Sequence, residues 1–277
     1  MRRRSVWLAA LLGLVLLAFG IPSAGAATGD GSRQSNPAGG RHHHRSYTLL
    51  QMNLCLSGIA GCYPGTHYPA VVDEAIAKIR KHEPDAATLV ETCEGDAERI
   101  ADATGYHLAF GTVIYRGEPL PCVDPTGRGV YGITVLTRKP IVATNDHAYR
   151  AQHGNEERRR VCATTVDRAT ACVTHLAVRN SDPAGPDSVA NDAQCAEFGR
   201  LLASYARRGN PVIGAGDMNR DASCAPHGFW TKTDEGAAQL GGIQHAYGSQ
   251  RALHRPRARV LPMTYSDHDA LLVTARR

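Results

Sequence analysis

Acidic, amide and imidazole side chains recur along this chain at the ends of short apolar segments. Near the C-terminus, Ser266, Asp267 and His268 directly precede an apolar segment that begins at Ala270. A carboxylate and an imidazole side by side at a strand end can bind a metal ion and transfer a proton. Similar polar strand ends occur upstream at Asn53, Glu91, His175, Asp217 and Asn219.

Each of these residues alone has an ordinary structural interpretation. Asn53 and the Asp217 segment can form turns, Glu91 can be a surface acid, and His175 can be a hydrogen-bonded core histidine. Their order and their shared position at strand ends favour one common cleft instead. Such a cleft would combine oxygen ligands for a hard cation with groups that face phosphate, which predicts metal-assisted phosphoryl transfer.

The segments that must position these groups predict a mixed α/β chain. Apolar residues with helical spacing alternate with short apolar runs, and a hairpin is predicted around Asp167 and Arg168. Some strands are separated by helices and others by turns, so the chain does not alternate strictly. The predicted strands cover 47–53, 86–90, 106–114, 132–137, 161–166, 170–176 and 211–215, and the predicted helices cover 68–82, 96–104 and 192–206.

Six segments together resemble the endonuclease/exonuclease/phosphatase superfamily, which has the deoxyribonuclease I-like fold. The resemblance is to a secreted member of bacterial type. The six segments are Gln51–Leu54, Leu89–Thr92, Gly132–Arg138, Thr174–Leu176, Gly214–Asn219 and Ser266–His268. The resemblance implies a four-layer α/β/β/α sandwich of two mixed β-sheets flanked by helices, over residues 46–277. It also implies hydrolysis of a phosphate ester with Mg²⁺ or Mn²⁺, with Ca²⁺ also compatible.

The resemblance implies a role for each strand-end residue. Glu91 would be the principal metal ligand, assisted by Asn53 and Asp267. The catalytic groups would be Asp217, which orients the attacking water, Asn219, which holds the phosphate, His175, which stabilises charge on a non-bridging oxygen, and His268, a general base or a second phosphate contact.

One position departs from the family pattern. Many relatives carry an aspartate that pairs with the last histidine, and the nearest match here is Gln244, between Ile243 and His245. A neutral amide can fix the tautomer of His268, but it cannot stabilise an imidazolium as a carboxylate does. We therefore expect Gln244→Asp to raise activity or to shift its pH profile.

The N-terminal segment has the composition of an export signal. Three arginines, an apolar run and a small-residue site predict a signal peptide over residues 1–26, with an uncleaved anchor as the alternative. Residues 27–45 are polar and predict a disordered leader. We therefore expect a secreted, extracellular protein.

All eight cysteines follow the predicted signal peptide, which favours disulfides in an oxidising compartment. One pair would close a short loop and another would join a predicted hairpin. The sequence leaves other pairings open. The pairs we expect are Cys55 with Cys62, Cys162 with Cys172, Cys93 with Cys122, and Cys195 with Cys224.

The formal net charge is +5, but three of these charges are Arg2, Arg3 and Arg4, which leaves about +2 without the signal. Two clusters, around Arg158 and from Arg251 to Arg259, are either solvated loops or phosphate-binding surfaces. Together with export and disulfides, they favour a nuclease of low sequence specificity that acts on DNA. We also expect a monomer without stable membrane association. The residues expected to bind substrate are Arg251, Arg255 and Arg257.

Two alternatives use the same fold. The first is a secreted sphingomyelinase-like or other small-molecule phosphoesterase, whose membrane-acting version would need an exposed aromatic hairpin to enter the interface. Trp230 beside Phe229 is the only such aromatic pair in the sequence after the signal. A non-catalytic binding module is the third hypothesis, favoured by Gln244 and opposed by the intact acidic and histidine residues.

Overall fold

The computed structural model describes residues 46–277, so the predicted signal peptide and leader lie outside the described residues. None of the described helices is long and apolar enough to cross a membrane. The helices are α1 (Ala70–His82), α2 (Glu94–Thr104) and α3 (Pro186–Ala206), with a 3-10 helix at Tyr63–Thr66. The strands are β1 (Ser46–Asn53), β2 (Ala86–Cys93), β3 (His107–Thr112), β4 (Ile114–Tyr115), β5 (Glu118–Pro119), β6 (Tyr131–Thr137), β7 (Ile141–Ala148), β8 (Arg159–Thr165), β9 (Thr170–His175), β10 (Val212–Asp217), β11 (Phe229–Thr233), β12 (Gln244–Ser249), β13 (His254–Leu261) and β14 (Ala270–Arg276).

The strands form two large mixed sheets and one small hairpin, β4–β5. The first sheet has the order β13-β14-β1-β2-β6-β3, and the second has the order β11-β12-β10-β9-β8-β7. Each sheet contains one parallel pair, β1 with β2 in the first and β9 with β10 in the second. The other neighbouring strands within these two sheets are antiparallel.

Three hydrophobic clusters define the layers. In the first, residues such as Ile79 and Ile100 of α1 and α2 pack against one face of the first sheet. The second cluster fills the space between the two sheets, and the third packs Phe198 of α3 against the second sheet. Burial of each large side chain contributes roughly 1.5–3 kcal/mol, so these clusters hold the layers together. The predicted four-layer sandwich is confirmed.

The sequence prediction missed several strands, among them the two exposed strands β7 and β13. Strands β7 and β13 form edges of the two sheets, and most of their residues are exposed. Edge strands lack the apolar alternation that identifies a half-buried strand, so their sequences resemble loops. Helix α3 begins at Pro186, six residues before the predicted start, because proline is well suited to the first turn.

The four expected disulfides are all present. Two of them lie near the polar strand ends: Cys55–Cys62 closes the loop after β1, and Cys93 at the end of β2 is bonded to Cys122. Cys162–Cys172 joins neighbouring residues of β8 and β9, and Cys195–Cys224 joins α3 to the segment after β10.

Candidate active site

The two parallel strand pairs place four polar residues at corresponding ends. In the first sheet, Asn53 ends β1 and Glu91 lies near the end of β2. In the second sheet, His175 and Asp217 are the last residues of β9 and β10 and are paired in register. Because parallel strands have their carboxyl ends at one edge, each sheet contributes two of these groups to its edge.

Asn53 joins the two sheets at this edge. Its Nδ2 donates to Glu91 Oε1 over 2.8 Å and to Asp217 Oδ2 over 3.2 Å. The Nε2 of His268 lies 3.6 Å from the same Asp217 oxygen, and the Nε2 of His175 lies 4.0 Å from Glu91 Oε1. The polar strand ends therefore meet in one cluster, as the sequence predicted.

Unusual backbone conformations aim these side chains. Glu91 has a φ of 56° and lies at an irregularity in the pairing of β2 with β6. Bulges of this kind redirect a side chain. A Cβ at Gly216 would overlap the carbonyl oxygen of Thr174, so only glycine fits before Asp217. Asn219, with a φ of 49°, donates its backbone N–H to Asp217 Oδ1 over 2.9 Å. Backbone strain of this type is concentrated at functional sites.

The loop with Asp267 and His268 is attached to β1. Ser266 Oγ donates to the carbonyl oxygen of Asn53 over 2.7 Å and accepts from the backbone N–H of His268. Two buried atoms of this loop, Asp267 Oδ1 and His268 Nδ1, have no hydrogen-bond partner among residues 46–277. An unpartnered buried acceptor is costly, which suggests that something other than protein completes this site.

The donor set fits a divalent cation. Asp217 and Asp267 both raise the pKa of Glu91, so three carboxylates lie within electrostatic range of one another. Hard oxygen donors from carboxylates and amides are the ligands that Mg²⁺ and Mn²⁺ prefer. Glu91, Asn53 and Asp267 would hold such an ion. Asp267 also lies near the sulfurs of Cys55 and Cys62, but a disulfide offers no thiolate ligand.

Burial sets the protonation of this cluster. It raises the pKa of Glu91 to about 7, with hydrogen bonding from Asn53 opposing the shift, and it raises the pKa of Asp217 against the lowering effect of His268. Burial, followed by the charge of Arg158, holds the pKa of His175 well below its ordinary value. His175 is therefore a neutral hydrogen-bonding group near pH 7.

We expect metal affinity to fall as the pH is lowered through 7. A proton on Glu91 competes with the cation for the carboxylate, and the raised pKa places this competition near neutrality. The dissociation constant for Mn²⁺ should rise about tenfold per pH unit well below 7. Isothermal titration calorimetry from pH 5.5 to 8.5 measures it, and a constant affinity over that range would contradict the assignment of Glu91.

The clustered residues open into a cleft of about 460 Å³. Its walls include Arg158, whose side chain is only 11% exposed and lies beside Glu156. The Nη1 of Arg158 is 3.0 Å from Glu156 Oε1, but this buried atom makes no hydrogen bond of adequate geometry to the described residues. A guanidinium in a cleft is suited to bind phosphate. The sequence showed Arg158 in a basic cluster, but nothing in it separated Arg158 from its neighbours.

The structure places the three arginines expected to bind substrate away from the cleft. Arg251 follows β12 at the end opposite Gln244, which pairs with Asp217. The length of the strand, about 17 Å, separates these two ends. Arg255 and Arg257 lie in the far half of β13, whose Leu261 end adjoins the site loop. The prediction for these residues is therefore corrected, because the strand directions carry them away from the catalytic edge.

Gln244 also has different partners from those expected. Its Nε2 donates to the carbonyl oxygen of Asp269 over 2.5 Å and to Asp234 Oδ2 over 3.3 Å, and its Oε1 accepts from Gln51. Among the hydrogen bonds of residues 46–277, none joins Gln244 to His268. Both contacts of Nε2 are to oxygen acceptors, so this atom must be the amide nitrogen. This fixes which way the Gln244 side-chain amide points. Gln244 connects the two sheets and supports the loop that carries His268.

Because of these partners, we now expect Gln244→Asp to lower activity instead of raising it. A carboxylate would lose both donated hydrogen bonds and would face the buried Asp234. We expect a loss of about 2–4 kcal/mol in the free energy of unfolding, and lower activity. Urea denaturation measures the loss, with exposed Gln250→Asp at the other end of β12 as the matched control. Unchanged stability with higher activity would support the original expectation.

Comparison with known proteins gives a family and a fold. The profile of the Endonuclease/Exonuclease/phosphatase family matches residues 59–268. No curated protein gives a significant match. Among solved structures, the chain is similar to the human Nocturnin catalytic domain with bound sulfate, with 16% identity and a TM-score of 0.59 over 83% of this chain and 94% of that one.

Two further structures are similar at the same level. One is TDP2 from Caenorhabditis elegans, with 14% identity and a TM-score of 0.57 over 84% of this chain and 75% of that one. The other is a mannosyl-6-phosphatase from Bacteroides thetaiotaomicron, with 14% identity and a TM-score of 0.58 over 82% of this chain and 98% of that one. At these identities, the likeness establishes the fold.

The chain belongs to the Endonuclease/Exonuclease/phosphatase family. With that membership and the clustered acidic, amide and imidazole groups, it is a metal-dependent phosphoric ester hydrolase.

Proposed function

We propose that this protein is a secreted phosphodiester hydrolase that acts as a nuclease of low sequence specificity on DNA, with Mg²⁺ or Mn²⁺. The observation that supports it most strongly is the pair of hydrogen bonds from Asn53 to Glu91 and Asp217, which join the two halves of the site. The four disulfides are consistent with an extracellular location.

The reaction assigns a task to each group. A divalent cation would act as a Lewis acid on the phosphoryl oxygen. Asp217 orients a water whose oxygen bonds to phosphorus, and the proton of that water passes to the Asp217–His268 pair. The bond from phosphorus to the ester oxygen breaks, and that oxygen takes a proton from solvent. His175 and Arg158 donate hydrogen bonds to the phosphoryl oxygens, where negative charge increases.

The composition of the cleft supports low sequence specificity. Base edges are read mainly by Arg, Lys, Asn and Gln side chains. Arg158 and Asn219 are the only residues of these types that line the cleft within the described chain, and both are assigned to phosphate. Contacts to phosphate position a nucleic acid without reading its sequence.

A substrate panel tests the proposal. We would incubate the protein with single-stranded DNA, duplex DNA, RNA, sphingomyelin vesicles and a chromogenic phosphodiester, each with Mg²⁺, Mn²⁺, Ca²⁺ or EDTA. We expect cleavage of DNA only in the presence of metal, with rates that fall as salt rises.

Two results would reject the proposal. Cleavage of sphingomyelin or of the chromogenic ester without any cleavage of DNA would identify a lipid or small-molecule phosphoesterase. No cleavage of any phosphoester by a protein that binds metal would identify a binding module.

A further inference from the structure

The rim of the cleft is unusually apolar for an exposed surface. Ile59, Val178 and Leu240 are each 56–58% exposed, and all three line the cleft. They belong to three separate loops, after β1, after β9 and before β12. Single exposed apolar residues are ordinary, but convergence of three on one concavity indicates a binding surface.

Each part of this apolar rim (Ile59, Val178 and Leu240) is held by neighbouring structure. The loop with Ile59 is closed by the Cys55–Cys62 disulfide. The residue before Val178, Ala177, is hydrogen-bonded through both its N–H and its carbonyl to side chains of α3. Leu240 has a φ of 39° in a loop held by Asp234 and Asp269. This φ is a strained value for leucine. A rigid apolar surface loses little entropy on binding.

The cleft itself provides little positive charge. Arg158 is the only arginine or lysine among its lining residues in the described chain, against Glu91, Glu156 and Asp217. A duplex is normally held through several phosphates, with a steep dependence on salt. One guanidinium can bind one phosphodiester, and an apolar rim can contact the groups attached on either side of it. This combination fits a ligand in which those groups have flat, apolar faces.

A second concavity, which is basic, contains an arginine close to Arg158 along the chain. Arg150, Arg160 and Arg200 line a cavity of about 310 Å³, and Glu197 is the only acid among its lining residues within the described range. Arg160 follows Arg158 by two residues in extended chain, a distance of about 7 Å. The buried Nε of Arg160 has no acceptor in the part of the chain that the structure describes. Arg160 contacts Glu197 over 3.4 Å, which leaves a net positive site. Only a ligand with several phosphates can use both the cleft and this cavity, whereas a lipid offers only one phosphodiester.

We propose that the substrate is a nucleic acid strand that is unpaired at the scissile phosphate. Tyr115 also lines the cleft, and the guanidinium of Arg116 lies over its ring. The exposed bases pack against the apolar rim and the side chain of Tyr115, and the next phosphates bind beside Arg150, Arg160 and Arg200. Exposed bases have apolar faces that pair with such surfaces without regard to sequence, whereas paired bases in a duplex are covered by their neighbours. This inference rests on the proposed nuclease function and specifies its substrate.

The first test compares one labelled 20-nucleotide DNA as a single strand and as a blunt duplex, with Mg²⁺ or Mn²⁺. We expect kcat/KM to be at least about tenfold higher for the single strand, the effect of one base-packing contact. Equal rates on both forms would overturn the inference and leave the proposed nuclease function intact. Cleavage of other phosphoesters, with no cleavage of the single-stranded or the duplex DNA, would reject both this inference and the proposed nuclease function.

The second test removes the rim. The triple substitution of Ile59, Val178 and Leu240 by serine should lower kcat/KM for the single strand by about tenfold or more, mainly through KM, because it removes the apolar surface that the bases cover. Turnover of methyl p-nitrophenyl phosphate should not change. The matched control replaces three other exposed valines by serine: Val142, Val166 and Val189. An equal loss in the control, or a loss confined to sphingomyelin vesicles, would overturn the inference.

The third test addresses the basic cavity lined by Arg150, Arg160 and Arg200. Arg150→Gln combined with Arg200→Gln should weaken binding of the single strand several-fold at low salt and make its dependence on salt shallower. Both side chains belong to exposed residues, so folding should be preserved. The exposed pair Arg255→Gln and Arg257→Gln on β13 is the matched control. A loss in the control pair alone would place the strand on β13 and contradict the inference.

Discussion

Glu91→Gln should lower kcat/KM by about 10³-fold or more while making the metal-free protein more stable at pH 8. Activity falls because a neutral amide cannot replace the carboxylate as a ligand of a divalent cation. Stability rises because the folded-state pKa of Glu91, about 7, lies above its ordinary value, so its ionised form opposes folding above about pH 4.5. The Glu91 side chain is 17% exposed, so solvent screens part of this effect. We expect a gain of roughly 1–3 kcal/mol.

The measurements are steady-state kinetics with Mn²⁺ and urea denaturation with EDTA at pH 8 and pH 4.5. The gain in stability should fall almost to zero at the lower pH, where Glu91 is protonated in the folded state and about half protonated in the unfolded state. Exposed Glu98→Gln on α2 serves as the matched control. A variant with near-normal turnover would show that Glu91 is not a ligand.

Asp217→Asn should lower kcat by about 10²–10⁴-fold with little change in the affinity for Mn²⁺. The isosteric amide keeps the Oδ1 acceptor for the Asn219 N–H, but its nitrogen cannot take up a proton or accept the hydrogen bond that Asn53 donates to Asp217 Oδ2. Kinetics and calorimetry on the same preparation separate this effect from that of Glu91→Gln, which removes metal affinity.

Exposed Asp221→Asn, four residues further along the chain, is the control for Asp217→Asn. A parallel loss of metal affinity and turnover in Asp217→Asn would contradict the assignment of Asp217 to the attacking water. It would make Asp217 a metal ligand instead.

The sequence predicted the polar strand ends because their signals are local. Asn53, Glu91, His175 and Asp217 each follow an apolar run, and a buried strand exposes its first polar residue at the edge of the sheet. The order of these strand ends along the chain then indicated the family and its sandwich. The disulfides followed from the even number of cysteines and the short loops that two pairs would close.

Features that depend on contacts between distant segments were not predictable in the same way. Arg158 and Arg257 look alike in the sequence, and only the strand directions place one in the cleft and the other on a distant edge. The partners of Gln244 come from both sheets and the site loop. The apolar rim could not be predicted either, because Val178 and Leu240 read as ordinary loop residues until the fold brings them together.

The central claim is that groups from both sheets and the C-terminal loop bind one divalent cation. The most direct measurement is a crystal structure of the protein soaked in Mn²⁺, with anomalous differences recorded at the manganese edge. We predict an anomalous peak about 2.0–2.6 Å from the Glu91 carboxylate, within reach of Asn53 and Asp267. A peak elsewhere, with these three residues uncoordinated, would contradict the assignment of the active site.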